Sequence, residues 1–348
     1  MAKGKRRNPG HPARAAGNKA APARDGKRAD AKTSERGMSP RTALVSVLGL
    51  VGVLVASYFL FGSSSGETED EPASDPTALR VPWVDPEGTA PIVGAVDVNP
   101  ADESLWLATN TGLWRIEADG QQPEQVTGDL TTDLGRGPIS EQLVVRFRGP
   151  DRMLASGHPP ADSELPPALG LIESRDAGKS WTPVSGAGQK DFHAIQALGN
   201  TVVAGNFGER ALDVSHDAGK TFETRAAPAP IVDLAVDPDD TDRWIASTFE
   251  GLITSTDEGR TWREREPIPS IRFAWPAGGT LHRIEPGGLL KVSTDRGESW
   301  REVSSTGGEP QAMFAPEPEH LYVALVDGTV KESTDGGETW TDRVSPPA

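Results

Sequence analysis

The chain of 348 residues contains no cysteine. That excludes a disulfide-stapled fold and a lipid carried on a thiol, so any folded part must rest on a hydrophobic core of adequate size. Tyrosine is nearly absent, with Tyr58 and Tyr322 the only two. Histidine is sparse too: beyond His11, the residues His158, His193, His216, His282 and His320 are scattered, with no i, i+2 or i, i+4 pairing of the kind that ligates a metal from one element. No Gly-x-Ser-x-Gly elbow or glycine-rich phosphate loop opens a helix. Neither a metal nor a cofactor is therefore expected.

Charge is distributed unevenly. Residues 1–42 hold twelve Lys and Arg against three acids (Asp25, Asp30, Glu35) and almost nothing apolar, so this segment cannot offset its ordering entropy and is expected to be a disordered basic tail. The nineteen residues from Ala43 to Phe61 carry no charge, which is long enough to cross a hydrocarbon core as a helix. Residues 43–62 are accordingly expected to form one transmembrane helix, a signal anchor. The alternative is a cleaved secretory signal, which normally has a shorter apolar core and a briefer basic lead, although Gly62–Ser65 supplies small residues for cleavage. The basic flank places the N-terminus in the cytoplasm and the rest of the chain outside the plasma membrane. It either rests on anionic lipid or serves only to set topology. The whole chain is −16 and its first 42 residues are +9, which leaves −25 for the remainder. Such an excess argues against nucleic acid as a partner. Residues 63–78 are acidic and Ser/Pro-rich, a flexible stalk, and residues 79–348 suffice for one large all-β domain.

A repeat decides the fold. The pattern Ser-x-Asp-x-Gly-x-Ser/Thr-aromatic occurs five times, as Asp176, Gly178 and Trp181; Asp217, Gly219 and Phe222; Asp257, Gly259 and Trp262; Asp295, Gly297 and Trp300; Asp335, Gly337 and Trp340. Successive aspartates are 41, 40, 38 and 40 residues apart. The carboxylate and hydroxyls can accept backbone N–H bonds of their own turn, the glycine supplies a positive φ, and the aromatic anchors the turn on the sheet. Around one box, Ile231–Val236, Arg243–Ser247, Gly251–Ser255 and Trp262–Arg265 read as four short strands, which is one propeller blade per forty residues. The template also finds a first unit (Ile92–Val98, Leu105–Thr109, Gly112–Glu117) whose box has decayed to Ala118-Asp119-Gly120. Six units follow, starting near Ile92, Gln142, Phe192, Ile231, Ile271 and Gln311. Unit two is longer, with its excess in Gly128–Pro138 and His158–Leu169. The expectation is an all-β, six-bladed β-propeller, with Leu79–Val84 leaving open a seventh, partial blade.

These residues resemble the BNR or Asp-box repeat superfamily of propellers over residues 90 to 345. The superfamily includes sialidases, glucan hydrolases, sortilin ectodomains and photosystem II assembly-factor-like propellers, and the units resemble the bacterial repeat-only, membrane-anchored members most. The resemblance implies that the boxes sit at the blade periphery and are structural. Function belongs to the site and not to the fold. A sialidase-like exo-glycosidase would need an arginine cluster, a tyrosine nucleophile partnered by a Glu, and a general acid. Leu79-Arg80-Val81-Pro82 resembles the x-R-I-P stretch that opens sialidase domains, and Arg272 and Tyr322 are the other candidates, but no clear acid follows Arg80 at the expected place and no Glu partners Tyr322 within its strand. The favoured expectation is a non-catalytic binding or assembly module outside the cytoplasm, with a protein or glycan ligand on the propeller face. Arg146, His193, Asp233 and Arg272, polar residues in first strands, are expected to line the central channel as a ligand site or a self-satisfied network. Trp275 and the His158–Leu169 insertion are candidate contact loops.

Overall fold

The computed structural model describes Leu79–Arg80 and residues 91–345, apart from 121–122, 140, 161 and 207. The expected basic tail, membrane helix and stalk lie outside the described residues. Among the described residues no helix is long and apolar enough to cross a membrane.

The described chain is all β-strand and turn, arranged as six sheets. Blade 1 comprises Val93–Val98, Leu105–Thr109, Gly112–Ile116 and Glu124–Val126; blade 2 comprises Glu141–Gly149, Arg152–His158, Leu171–Ser174 and Ser180–Ser185. Blade 3 is Phe192–Leu198, Thr201–Asn206, Ala211–Ser215 and Glu223–Ala226, and blade 4 is Ile231–Val236, Trp244–Thr248, Leu252–Ser255 and Arg263–Glu264. Blade 5 is Arg272–Ala274, Leu281–Ile284, Leu289–Ser293 and Arg301–Ser305, and blade 6 is Pro310–Glu317, His320–Leu325, Val330–Ser333 and Thr341–Ser345. Within each blade the four strands pair antiparallel in chain order. The first strands neighbour one another around the ring, and that of blade 6 lies against that of blade 1.

Two segments depart from the plain repeat. Leu79–Arg80 does not found a seventh blade: it pairs parallel with Val344 and Ser345 as a fifth, outermost strand of blade 6. The excess of unit two forms a hairpin, Gly128–Thr132 with Gly135–Ile139, whose first strand pairs parallel with the outer strand of blade 2 at Ser180 and Trp181. The Pro-rich insertion folds over that hairpin. Its Leu165 and Leu169 are buried in one cluster with Leu130, Ile139 and Trp181, so this segment is not the free contact loop that its composition suggests.

The five boxes share one geometry. In each, the serine hydroxyl donates to the aspartate Oδ1 at 2.7–2.9 Å and accepts the glycine N–H at 2.8–2.9 Å. The same Oδ1 accepts the backbone N–H of Ser180, Thr221, Thr261, Ser299 or Thr339 at 2.8–2.9 Å, and Oδ2 accepts that residue's hydroxyl. The backbone reverses through two consecutive positive φ values, for example 65° at Ala218 and 84° at Gly219. The second favours glycine: a Cβ on Gly219 would stand 2.1 Å from a methyl of Leu171 of blade 2 and one on Gly337 2.0 Å from a methyl of Leu290 of blade 5, so those buried side chains would have to shift. The boxes therefore also seal blade against blade: Ser185 of blade 2 donates to the Gly219 carbonyl, and Ser304 of blade 5 to that of Gly337. Blade 1 has no box, and there Arg343 of blade 6 donates to the carbonyls of Glu117 and Ala118 at 2.7 and 3.3 Å, capping the decayed turn.

Hydrogen bonds donated by the side-chain hydroxyl and main-chain amide of Thr261 hold the Asp257 carboxyl down to about 2. A carboxylate with a folded pKa below its unfolded value contributes stability above the unfolded pKa and loses it as pH falls through the folded one. Asp257→Asn is expected to lower Tm at pH 7 and to make the loss of Tm between pH 4 and 2 shallower than in wild type, as read by thermal unfolding across that range.

Candidate functional site

The first strand of each blade ends at the same end of the wheel as the third strand, because the second runs opposite to both. The turns between first and second strands therefore share an end with the Asp boxes. A cavity of about 620 Å³ opens there. It is walled by the last residues of first strands, including Asp97, Arg146, Gln196, Trp275 and Phe314, and at one side by Tyr322, Glu332 and Arg343 of blade 6.

Latches between blades run among the first strands, and Asp97 and Arg146 of these reach the cavity. The Asp97 carboxylate accepts the N–H of Val98 at 2.8 Å and, across the seam to blade 2, the N–H of Phe147 at 3.0 Å. Burial raises its pKa to about 6, against the opposing pull of the Arg146 charge and the two amides. Asp233 repeats the device between blades 4 and 5, accepting Leu234 N–H at 2.9 Å and Phe273 N–H at 2.8 Å. Its carboxyl is likewise raised by burial, and the charges of Arg272 and Arg146 act against that. Arg272 donates through Nε to the Gln311 carbonyl of blade 6 at 2.6 Å, and Arg146 donates to the Val145 carbonyl at 3.0 Å. Three of the four expected channel residues, Arg146, Asp233 and Arg272, thus belong to one electrostatic set. Asp97, which sequence reasoning missed, is its fourth member. Its signal was present: VGAVDV, like IVDLAV, places one aspartate in an otherwise apolar first strand.

His193 lies elsewhere. It stands at the start of the first strand of blade 3, at the end of the wheel opposite the cavity. His158, at the close of the second strand of blade 2, comes beside it, with ring centroids 5.7 Å apart. Both Nε2 atoms converge on Asp191 Oδ1, at 3.2 Å from His158 and 3.0 Å from His193. Burial pushes the Asp191 carboxyl up, but the two imidazoles outweigh it and hold the group well below the usual carboxylate range. The scattering of histidines along the sequence hid this cluster, since 35 residues of chain separate its two rings. Among the described residues it is the group whose ligand atoms converge, all within 4.8 Å of one another.

The three residues considered for catalysis do not meet. Arg80, by its backbone, lies on the outermost strand of blade 6 beside Ser345, at the end of the wheel opposite the boxes. Three strand spacings, roughly 14 Å, separate its strand from that of Tyr322, and Tyr322 lines the cavity while Arg272 does not. Tyr322 does have a carboxylate partner, contributed by the adjacent strand: its hydroxyl donates to Glu332 Oε1 at 2.9 Å, and His320 Nε2 lies 2.7 Å from the same oxygen. Burial first, then the Glu332 charge, push the phenol well above its ordinary range. Trp275, considered as a loop contact, is half-buried in the cavity wall and packs against Ile271, Phe273 and Leu281.

The architecture and the cavity define a six-bladed β-propeller with a polar mouth at the box end. No known family profile matches the chain. The oligoxyloglucan-reducing end-specific xyloglucanase of Emericella nidulans is 29% identical over 160 residues, which is 34% of this chain and 20% of the xyloglucanase. Among solved structures, a GH74 enzyme of Niastella koreensis superposes with a TM-score of 0.50 at 15% identity, over 74% of this chain and 46% of that one. YCF48 bound to D1 peptide superposes with a TM-score of 0.50 at 22% identity, over 80% of this chain and 88% of that one. The chain thus spans a fifth of the xyloglucanase and under half of the GH74 enzyme. At these identities the structural likeness shows the fold alone, which the GH74 enzyme and YCF48 share.

Removing the Asp233 carboxylate leaves Arg272 with only the Glu309 charge to oppose it and the amide of Phe273 without its acceptor. Asp233→Ala is expected to cost roughly 3 kcal/mol or more, measured by denaturant unfolding at pH 7.

Proposed function

We propose that the propeller is a non-catalytic binding or assembly module, held outside the cytoplasm by the apolar segment at 43–61, and that its box-end cavity receives a segment of a partner protein. One observation carries this reading: the two carboxylates set deepest in the cavity wall, Asp97 and Glu332, are already occupied by the fold, while Glu103 and Glu317 of the same lining are exposed. Asp97 spends both oxygens on main-chain amides. Glu332 receives Tyr322 and His320 on one oxygen and faces Arg343 at 3.8 Å with the other. Glycoside hydrolysis needs two carboxyl groups free to act on opposite sides of a glycosidic bond, and neither of these is free. What the cavity does offer is aromatic surface from Phe147, Trp275 and Phe314 among fixed charges, which suits an extended segment with an apolar anchor. YCF48, whose length the chain nearly matches, is described as bound to a peptide, and the reading carries that kind of ligand over to this chain.

A second reading, a glycoside hydrolase, is favoured by the Tyr322–Glu332 hydrogen bond and by the xyloglucanase resemblance. The two separate in one assay. The full chain is expected to show no turnover on fluorogenic sialosides, other aryl glycosides or xyloglucan oligosaccharides. Hydrolysis that disappears in Tyr322→Phe would replace the binding reading with the enzymatic one.

The topology has its own test. Protease added to intact cells is expected to degrade the propeller and spare an epitope placed at the N-terminus; protection of both would place the propeller inside.

A further inference from the structure

We propose that His158, Asp191 and His193 form a binding site for one divalent transition-metal cation of the imidazole-preferring class, such as zinc. The three side chains come from two blades, yet their tips converge on one point. The Nε2–Oδ1 separations of 3.2 and 3.0 Å are close to the edge of a tetrahedron of ligands about 2.0–2.1 Å from a metal, which is about 3.3 Å. The third edge, between the two imidazole nitrogens, lies within 4.8 Å, and rotation of the imidazole side chains toward one another would close the set around a cation.

The outer contacts prepare the same state. His158 Nδ1 lies 2.7 Å from the Pro167 carbonyl oxygen, which can only accept, so Nδ1 carries the proton. Without a metal, Nε2 can donate its own proton to Asp191 Oδ1; a metal displaces that proton, and the Nε2 lone pair and the carboxylate oxygen, 3.2 Å apart, then both face the cation. A backbone carbonyl that fixes the tautomer and ring plane is the usual outer partner of a ligating histidine. Two imidazoles and one carboxylate select zinc, nickel or copper over magnesium or calcium, which take all-oxygen sets. The side chains are 25%, 27% and 36% exposed, so solvent reaches the point of convergence and water completes the coordination.

The site lies at the end of the wheel away from the cavity, so it is separate from the proposed ligand mouth. A bound cation would clip the Pro-rich insertion of blade 2, through Pro167 and His158, to the opening strand of blade 3. The insertion is thereby tied at both ends, since Gly188 N–H also donates to Ala168 at 2.8 Å.

The experiment uses the full chain without a histidine tag, purified in mild detergent, stripped with chelator and titrated with Co²⁺ and then Zn²⁺. The expected result is one equivalent per chain, visible Co²⁺ absorption that zinc displaces, and loss of both in His193→Ala and Asp191→Asn. His216→Ala, at an exposed histidine in a box turn outside the cluster, is expected to keep full binding. Should the cluster variants fail to fold, X-ray absorption on the zinc-loaded wild type reads the ligands directly, with two imidazole rings expected. Absence of stoichiometric binding, retention of binding in folded cluster variants, or a zinc shell without imidazole scattering would overturn the proposal.

Discussion

Closure of the ring is the constraint on which every other feature depends. A four-stranded blade has two faces and cannot bury both alone, so each sheet needs a neighbour on either side, and the series ends only when the sixth meets the first. The meeting is built from side chains far apart in sequence. Val93, Val96 and Leu107 of blade 1 share a core with Ala312, Tyr322 and Val330 of blade 6. The Gln311 side chain accepts from the Val93 amide and donates to the Pro91 carbonyl at 3.1 Å. Arg343 reaches across the same seam to the turn that lacks a box. The short strand at Leu79–Arg80 then covers the outer edge of blade 6, where an unpaired strand would invite association with another chain.

Within that closed frame the polar groups divide by depth. At the periphery the boxes spend their carboxylates on their own turns, and four of their five glycines stand against the preceding blade, Gly259 facing Trp244 and Trp262 of its own. Near the axis Asp97 and Asp233 do the equivalent work for first strands, each reaching an amide of the next blade. Buried carboxylates cost free energy unless paired and hydrogen-bonded, and here Arg146 and Arg272 supply the opposing charge. The result is a rigid wheel whose two ends differ chemically. The box end carries the cavity with its aromatic rim, and the opposite end carries the His-Asp-His cluster beside the folded insertion.

Legibility in the sequence followed the range of the interaction. The boxes were readable because a carboxylate, a glycine and two hydroxyls act within eight residues, so their spacing is itself the structure. The strands of blade 4 were found to within one or two residues for the same reason, the expected Arg243–Ser247 standing against the observed Trp244–Thr248. Contacts between blades left no such trace. The expectation that Tyr322 lacked a glutamate looked only along its own strand, whereas Glu332 sits opposite it on the next. His193 was placed at the axis from its position in a first strand. It stands where that strand begins, and there the imidazole meets Asp191 and His158, at the end of the wheel away from the cavity. The hairpin at Gly128–Ile139 and the Pro-rich insertion each read as surplus loop, because neither shows its apolar face until the two fold onto one another.

Amide hydrogen exchange resolved by blade tests the closure most directly. If the wheel is sealed between blades 6 and 1, second-strand amides at Leu105–Thr109, Trp244–Thr248 and His320–Leu325 exchange with one common free energy, equal to that of global unfolding. Exchange of blade 6 at a distinctly lower free energy than blades 3 and 4 would show a ring that opens at that seam, and would contradict the account.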